Sequence, residues 1–323
     1  MLRYLGLLCL FFPIIGSAVD KYAPVSVAMP LHQVGKHSYY VQGAAGIATD
    51  NEGFISNAGF VVTRSGVVVF DSLGTPSLAW ALRQKIKQVT DLPVVTVVVS
   101  HYHADHIYGL QVFREEGAKI IAPQGAFEYL DSESAAIRLE ERQFSLDPWV
   151  NDDTQLVVPD QVIDASLRFT VGDIDFELIY LGSAHSDGDL TMFVVQDSVL
   201  YSGDIIFEGR VPFVGDADTR NWLQTLQRME TGRLQALVPG HGPAAADPQA
   251  AIRSTRNYLA SLREVMGAAI DEMMDFATAF DDADWSEFED LPAFEAAHRR
   301  NAYQVFLSME EEMLEEQNKL GSK

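Results

Sequence analysis

The sequence predicts a layered α/β fold that ends in a helical extension. Three observations carry that prediction. Short runs rich in Val, Tyr and Phe alternate with segments of helical spacing, tight-turn dipeptides join neighbouring runs into hairpins, and from Pro248 the spacing is helical.

The elements follow in order. His37 to Gln42, Gly59 to Thr63 and Val67 to Asp71 read as strands, the last two turning at Ser65-Gly66. Ser77 to Val89 has helical spacing with Lys and Arg on its outer face, and Val94 to Ser100 reads as a buried strand. Leu110 to Glu116 reads as helix, Lys119 to Ala122 as strand, Gly125 to Gln143 as helix, and Leu146 to Pro159 as irregular chain. A second β-rich half follows. Leu167 to Val171 pairs with Ile174 to Leu181 across Gly172-Asp173, and Thr191 to Gln196 with Val199 to Tyr201 across Asp197-Ser198. Trp222 to Leu234 is expected to be helical and Ala236 to Val238 a last strand; the helical C-terminal part breaks around Asp281 to Pro292. No repeat or low-complexity linker divides the chain, so residues 19–247 are expected to form one domain and 248–323 a helical extension packed on it.

Composition narrows the function. Residues 1–18 run from Arg3 through an apolar stretch, Tyr4 to Ile15, to Gly16-Ser17-Ala18, the pattern of a cleaved export signal; a retained anchor is the alternative. The expected location is periplasmic or secreted. The single cysteine, Cys9, lies inside that stretch, so the mature chain has no disulfide and no thiolate ligand, and a metal site must use His, Asp or Glu. About 305 residues remain, with no further apolar stretch long enough to span a membrane. A formal charge of −23 argues against nucleic acid as a partner, since a phosphate backbone needs basic neutralisation. The acidic runs Asp281 to Asp284 and Glu310 to Glu312 read as solvated helical faces.

Chemistry is concentrated at strand ends. Val97-Val98-Val99-Ser100 leads into His101-Tyr102-His103-Ala104-Asp105-His106, four candidate ligands within six residues. Imidazole and carboxylate together suit a borderline divalent cation, zinc first. Three further segments repeat the setting: His185 after Leu181-Gly182-Ser183-Ala184, Asp204 after Tyr201-Ser202-Gly203, and His241 after Val238-Pro239-Gly240. Any one of them taken alone reads as readily as a core histidine or a helix cap. Jointly they follow the order and spacing that one site needs. Neither a G-x-S-x-G motif nor a mature cysteine suggests a nucleophilic side chain.

The series His-x-His-x-Asp-His, His, Asp, His, preceded by Asp71 at a strand end, resembles the metallo-β-lactamase superfamily over roughly Val34 to Pro243. The resemblance implies a four-layer αββα sandwich with the metal centre at the rim between two sheets. It implies two zinc ions per chain, one on His101, His103 and His185, the other on Asp105, His106 and His241, with Asp204 bridging. Asp71 would orient a ligand from behind, and Asp105 would also serve catalysis by orienting the nucleophile or moving a proton. The implied chemistry is hydrolysis of a small-molecule carbonyl substrate by a metal-bridging hydroxide.

Class B1 β-lactamases carry Cys where this chain has Asp204 and Arg where it has His106, while class B3 enzymes share His106 but lack the bridging Asp. The ligand set is therefore more similar to glyoxalase II, lactonases and general hydrolases. The export segment, His185-Ser186-Asp187-Gly188-Asp189, Tyr201 to Phe207 and His298-Arg299-Arg300-Asn301-Ala302-Tyr303 resemble exported SoxH-like, quinoprotein-relay-associated hydrolases. The expected substrate is a small ester, thioester, lactone or amide. The alternatives are a β-lactamase proper, a mononuclear iron persulfide dioxygenase, and a non-catalytic metal-binding accessory of a periplasmic redox system. Ala44 to Ser56 is a candidate flap, Tyr108 and Arg210 are candidate substrate contacts, and the segment around Trp285 covers the cleft, mediates a homodimer or packs on the sandwich.

Overall fold

The structure, a computed structural model, describes residues 21–229 and 234–321; the expected export segment, residues 1–18, lies outside the described residues. The first half builds β1 (Leu31–Gln33), β2 (Ser38–Val41), β3 (Ala58–Val62), β4 (Val67–Phe70), α1 (Pro76–Val89), β5 (Val94–Val98), α2 (Ala104–Ile107), α3 (Leu110–Glu115), β6 (Lys119–Pro123), α4 (Ala126–Leu130), α5 (Glu133–Ser145) and β7 (Gln161–Ile163). These seven strands form one sheet in chain order, antiparallel from β1 to β4 and parallel from β4 to β7. The second half builds β8 (Leu167–Val171), β9 (Ile174–Gly182), β10 (Asp189–Val194), β11 (Val199–Tyr201), α6 (Thr219–Met229) and β12 (Ala236–Val238), then α7 (Pro248–Asp271), α8 (Phe276–Asp282) and α9 (Phe294–Gly321). Its sheet runs β12-β11-β10-β9-β8, antiparallel except where β12 lies parallel to β11.

Two-residue periodicity sorts the strands into layers. Val68, Phe70 and Val98 face inward against Phe176, Leu178, Met192 and Val199 of the second sheet. Their neighbours Val67, Val69 and Val97 face outward, where α1 covers them with Leu78, Leu82 and Ile86. The outer side of the second sheet places Leu200 and Leu237 under Trp222 and Leu226 of α6, Leu259 and Leu262 of α7, and Val305 and Phe306 of α9. Helices, sheet, sheet and helices make the four-layer αββα sandwich. The C-terminal helices bury apolar side chains in the same outer core as α6, and Trp285 packs there too. Among the described residues no helix is long and apolar enough to cross a membrane.

The structure departs from the sequence reading in three places. β1 and β7 were not expected; each is a three-residue strand at an edge of the first sheet, too short to show alternation. The helix expected over Gly125 to Gln143 is two, because Ser132 stops α4 and caps α5 by accepting from Ala135 N. The C-terminal part breaks twice, at 272–275, where Asp275 caps α8, and at 283–293. For the helix expected to end at Leu234, α6 is described to Met229 and residues 230–233 lie outside the described residues.

Candidate metal centre

The C-terminal ends of β4, β5, β9, β11 and β12 open onto one rim of the sandwich, and the candidate ligands sit there. Backbone bonds stitch the loops of the two sheets together, Leu190 N donating to Ser100 O (2.9 Å) and Asn57 N to Gly240 O (2.7 Å), and within the second sheet Gly240 N donates to Gly203 O (2.8 Å). Crowding explains the residue before His241. A Cβ on Gly240 would lie 2.0 Å from Asp204 Oδ1, so only glycine lets that loop pass the carboxylate.

Three overlapping groups of ligand atoms result: His101, His103 and His185; His101, His106 and Asp204; and Asp105, His106 and His241. Asp204 stands between the first and third. Its Oδ1 is 3.2 Å from His106 Nε2, and its Oδ2 is 3.4 Å from His185 Nε2 and 3.2 Å from His241 Nε2. Asp105 Oδ2 lies 3.3 Å from His241 Nε2 and 3.5 Å from His106 Nε2, and His185 Nε2 faces His103 Nδ1 at 3.1 Å. All seven side chains expected as ligands are thus brought to one place. His101, His106, His185, Asp204 and His241 are buried, whereas the Asp105 carboxylate keeps 22% of its surface open.

The backs of the ligands are held. Asp71, at the end of β4, accepts from His106 Nδ1 (2.9 Å), Ser100 N (2.7 Å) and Ser100 Oγ (2.8 Å). Ser100 Oγ in turn accepts from His101 Nδ1 at 2.9 Å, so one carboxylate fixes the tautomers of two imidazoles and leaves both Nε2 atoms facing the cluster. Asp71 does this at φ 61, a left-handed backbone that costs a non-glycine residue about 1–2 kcal/mol. His241 Nδ1 donates to Ile55 O at 2.7 Å, which leaves its Nε2 free in the same sense.

Sequence reasoning missed three of the residues that hold the loops. Asn57 Nδ2 donates to Pro239 O and Gly242 O, both at 2.8 Å, and so clamps the His241 turn. Buried Asp189 accepts from Ala184 N (3.1 Å) and Ser186 N (2.9 Å) on either side of His185. Ser100 carries the relay from Asp71. Asp189 and Ser100 lie inside segments already singled out and were open to such a reading; Asn57 has no local signal.

The substrate-contact candidates divide. Tyr108 is fully buried in the first core, which corrects the expectation of a contact: its ring packs behind the ligand loop. Arg210 stands beside the cluster, buried, with Nη1 3.5 Å from His241 Nδ1. The Ala44 to Ser56 segment contains a short 3-10 turn at Ala48–Asn51 and is tied to the ligand loop by Ser56 Oγ, which donates to Asp105 O.

Electrostatics show what the cluster lacks. Burial disfavours charge on every ring here. Burial and the neighbouring His106 and His103 push His101 well below the usual imidazole range, and burial drives His185 to about 3 against the pull of Asp204. Burial opposes charge on His106 and His241 as well, but Asp204 and Asp105 (with Asp71 at His106) hold both above the usual value. The carboxylates thus demand positive charge at the point where the nitrogens converge. His101 Nε2, His106 Nε2 and Asp204 Oδ1 are enclosed with no hydrogen-bond partner among the described residues. Buried polar atoms are rarely left so, and three that converge fit a divalent cation with imidazole and carboxylate ligands.

Comparison with known proteins agrees with this geometry. The sequence model of the metallo-beta-lactamase superfamily matches residues 51–241, which spans every candidate ligand. Metallo-beta-lactamase IND-1 of Chryseobacterium indologenes is 23% identical over 211 residues, covering 64% of this chain and 79% of its own. The type 2 metallo-beta-lactamase of Elizabethkingia meningoseptica is 26% identical over 200 residues, 58% of this chain and 69% of its own. Among solved structures, a metallo-beta-lactamase from Pontibacter korlensis superposes with a TM-score of 0.56 at 20% identity, covering 72% of this chain and 99% of its own. The sec-alkylsulfatase Pisa1 from Pseudomonas sp. superposes with a TM-score of 0.68 at 19% identity, covering 86% of this chain and 50% of its own. With sandwich, rim and ligand series in agreement, the chain belongs to the metallo-β-lactamase superfamily and is a metal-dependent hydrolase.

Proposed function

We propose that the chain is an exported hydrolase that holds two zinc ions and cleaves a small ester, thioester, lactone or amide. The observation that carries this reading is the convergence of seven ligand-type side chains in three overlapping groups, with Asp204 placed between His185 on one side and His106 and His241 on the other. His101, His103 and His185 would hold one ion, Asp105, His106 and His241 the other, and Asp204 both. Zinc bound there supplies a water acidic enough to ionise near neutral pH and a Lewis acid for the scissile carbonyl.

The chain's own residues do the rest. Asp71 and Ser100 hold the Nδ1 sides of His106 and His101, so that the Nε2 atoms of both rings are aimed at the cluster. Asp105, the partly open carboxylate, would orient the attacking water or move its proton toward the leaving group. Arg210 places a fixed positive charge behind His241 that acts on the Asp204 and Asp105 carboxylates.

The test is zinc analysis of purified protein, followed by turnover of an ester, thioester, lactone and β-lactam panel on the zinc-loaded enzyme. The expected result is two zinc ions per chain and turnover of at least one acyl substrate. Less than one metal per chain, or rates equal to a His103→Ala control, would overturn the reading. Seven ligand-type side chains, more than one ion needs, support two metals over the mononuclear iron alternative, and oxygen consumption with iron and a persulfide tests that alternative directly. A second reading, hydrolysis of a sulfate ester, draws support from the longer reach of the sec-alkylsulfatase likeness, 86% of this chain against 72%. An alkyl sulfate added to the panel decides it. Assignment to the SoxH-like exported group rests on residues 1–18, the His185 to Asp189, Tyr201 to Phe207 and His298 to Tyr303 segments, and is part of the proposal.

A further inference from the structure

Beside the ligand loop a small cleft opens between α5 and the 44–56 segment. Ala48, Gly53, Gly74 and Ala104 line it together with Asp105 and Arg142. The small side chains make the room. Gly53 and Gly74 lie so close that a Cβ on Gly74 would come within 2.8 Å of Gly53 O. Arg142, in the last turn of α5, is half-buried and is the one cation on this lining. An arginine in that position lays its alkyl stem on apolar surface and presents its guanidinium at the end.

Arg142, with Arg210 and Arg300, belongs to the minority of described arginines that pair with no carboxylate. Among the described residues nine arginines hold a carboxylate oxygen within 4.0 Å: Arg64, Arg83, Arg114, Arg138, Arg168 and, in the C-terminal half, four more. Arg142 holds none, although Glu141 beside it is taken by Arg138 at 2.8 Å. Arg142 and the ligand-type carboxylate of Asp105 line the same cleft. A chain with a formal charge of −23 repels anions in general, and a guanidinium left unpaired in a cleft against a ligand is a local exception to that field.

We propose that Arg142 is the recognition group for an anion on the substrate, a carboxylate or sulfate carried on the same molecule as the bond that is cut. The inference rests on the hydrolase reading and adds a substrate class to it. The planar guanidinium matches both oxyanions in two-point geometry, and a neutral substrate would leave it unmatched in the cleft. The anion would be held on the α5 side of Asp105, with the reacting bond over the histidine cluster.

The experiment uses the zinc-loaded full chain and its Arg142→Gln and Arg142→Lys variants. Two esters of similar length are compared, neutral 4-nitrophenyl butyrate and mono-4-nitrophenyl succinate, which carries a free carboxylate. The ratio of kcat/KM for the anionic over the neutral ester should fall roughly 10- to 100-fold in Arg142→Gln, mainly through KM, and recover in part in Arg142→Lys. A ratio unchanged in Arg142→Gln overturns the proposal, including the case in which both esters lose activity together. Calorimetric titration with succinate and with butyl sulfate separates the two anions and needs no turnover. A tenfold or greater loss of affinity for either one in Arg142→Gln supports the proposal and names the oxyanion; equal affinity for both in enzyme and variant overturns it. If neither ester is cleaved, the hydrolase reading fails on that count, while the titration still decides whether Arg142 holds an anion.

Discussion

Two buried histidine environments in this molecule differ in what surrounds the ring. At the rim of the sandwich, His101, His106, His185 and His241 stand among Asp71, Asp105 and Asp204. Among the C-terminal helices, His298 is as deeply buried but stands among rings: Phe294 stacks on it at 4.3 Å, Trp285 meets it edge-on at 4.5 Å, and Tyr258 Oη lies 3.0 Å from its Nδ1. Its Nε2 is also enclosed without a hydrogen-bond partner among the described residues. One unmet nitrogen therefore does not make a ligand. What separates the two environments is convergence: several unmet atoms aimed at one point with carboxylates among them, against one ring in an apolar box whose imidazole burial pushes down to about 4.

Breaking the convergence should have the largest effect. Asp204→Ala removes the carboxylate that stands between the two proposed ion sites, so metal content should fall to one ion or less and kcat/KM by at least roughly 10³-fold, the equivalent of about 4 kcal/mol. Inductively coupled plasma analysis beside steady-state kinetics reads both. Chelation sharpens the same contrast. Stripping the metal should cost about 3 kcal/mol of stability at a metal concentration 100 times Kd, seen as a lower Tm, and the loss should be the same size in a His298→Leu variant. A loss that shrank in that variant would mean that His298 takes part in metal binding. Asp71→Asn keeps the shape but weakens the brace behind His106, and should lower metal affinity 10- to 100-fold by competition with a chromophoric chelator.

The apolar box makes its own prediction. His298 has its native pKa depressed from 6.5 to about 4, so it contributes stability that is fully present above pH 6.5 and is lost as pH falls toward 4. Urea unfolding of the native chain at pH 7 and pH 4.5 should differ on the order of 2 kcal/mol more than in His298→Leu. The smallest expected effect is that of Ser100→Ala. It cuts the relay from Asp71 to His101, a contribution of about 1 kcal/mol, and should weaken metal binding about fivefold.

The rim was far more legible in the sequence than the box. Its ligands sit at strand ends, and strand ends are local events: a valine run stops, small residues follow, and a polar side chain appears at the one place where it can point along the sheet. The first sheet's inner strands and the hairpin at Gly172-Asp173 were readable for the same reason. Phe294 lies one turn before His298 on α9, but Tyr258, Phe280 and Trp285 come from α7, α8 and the segment after it, and no short window of sequence shows them together. Asn57 escaped for a like reason, since its bonds reach more than 180 residues along the chain. Tyr108 was misread because nearness to the ligand loop says nothing about which way a side chain turns.

The clamp that Asn57 places on Pro239 and Gly242 has a consequence for the order of assembly. A chain made from its N-terminus has His101, His103 and His106 long before His241, and both partners of the clamp exist together only after most of the chain has been synthesised. Until then the early histidines are a partial set without their shared carboxylate or their last ligand. On the proposed ligand set, tight metal capture is a late event that requires both sheets to have met.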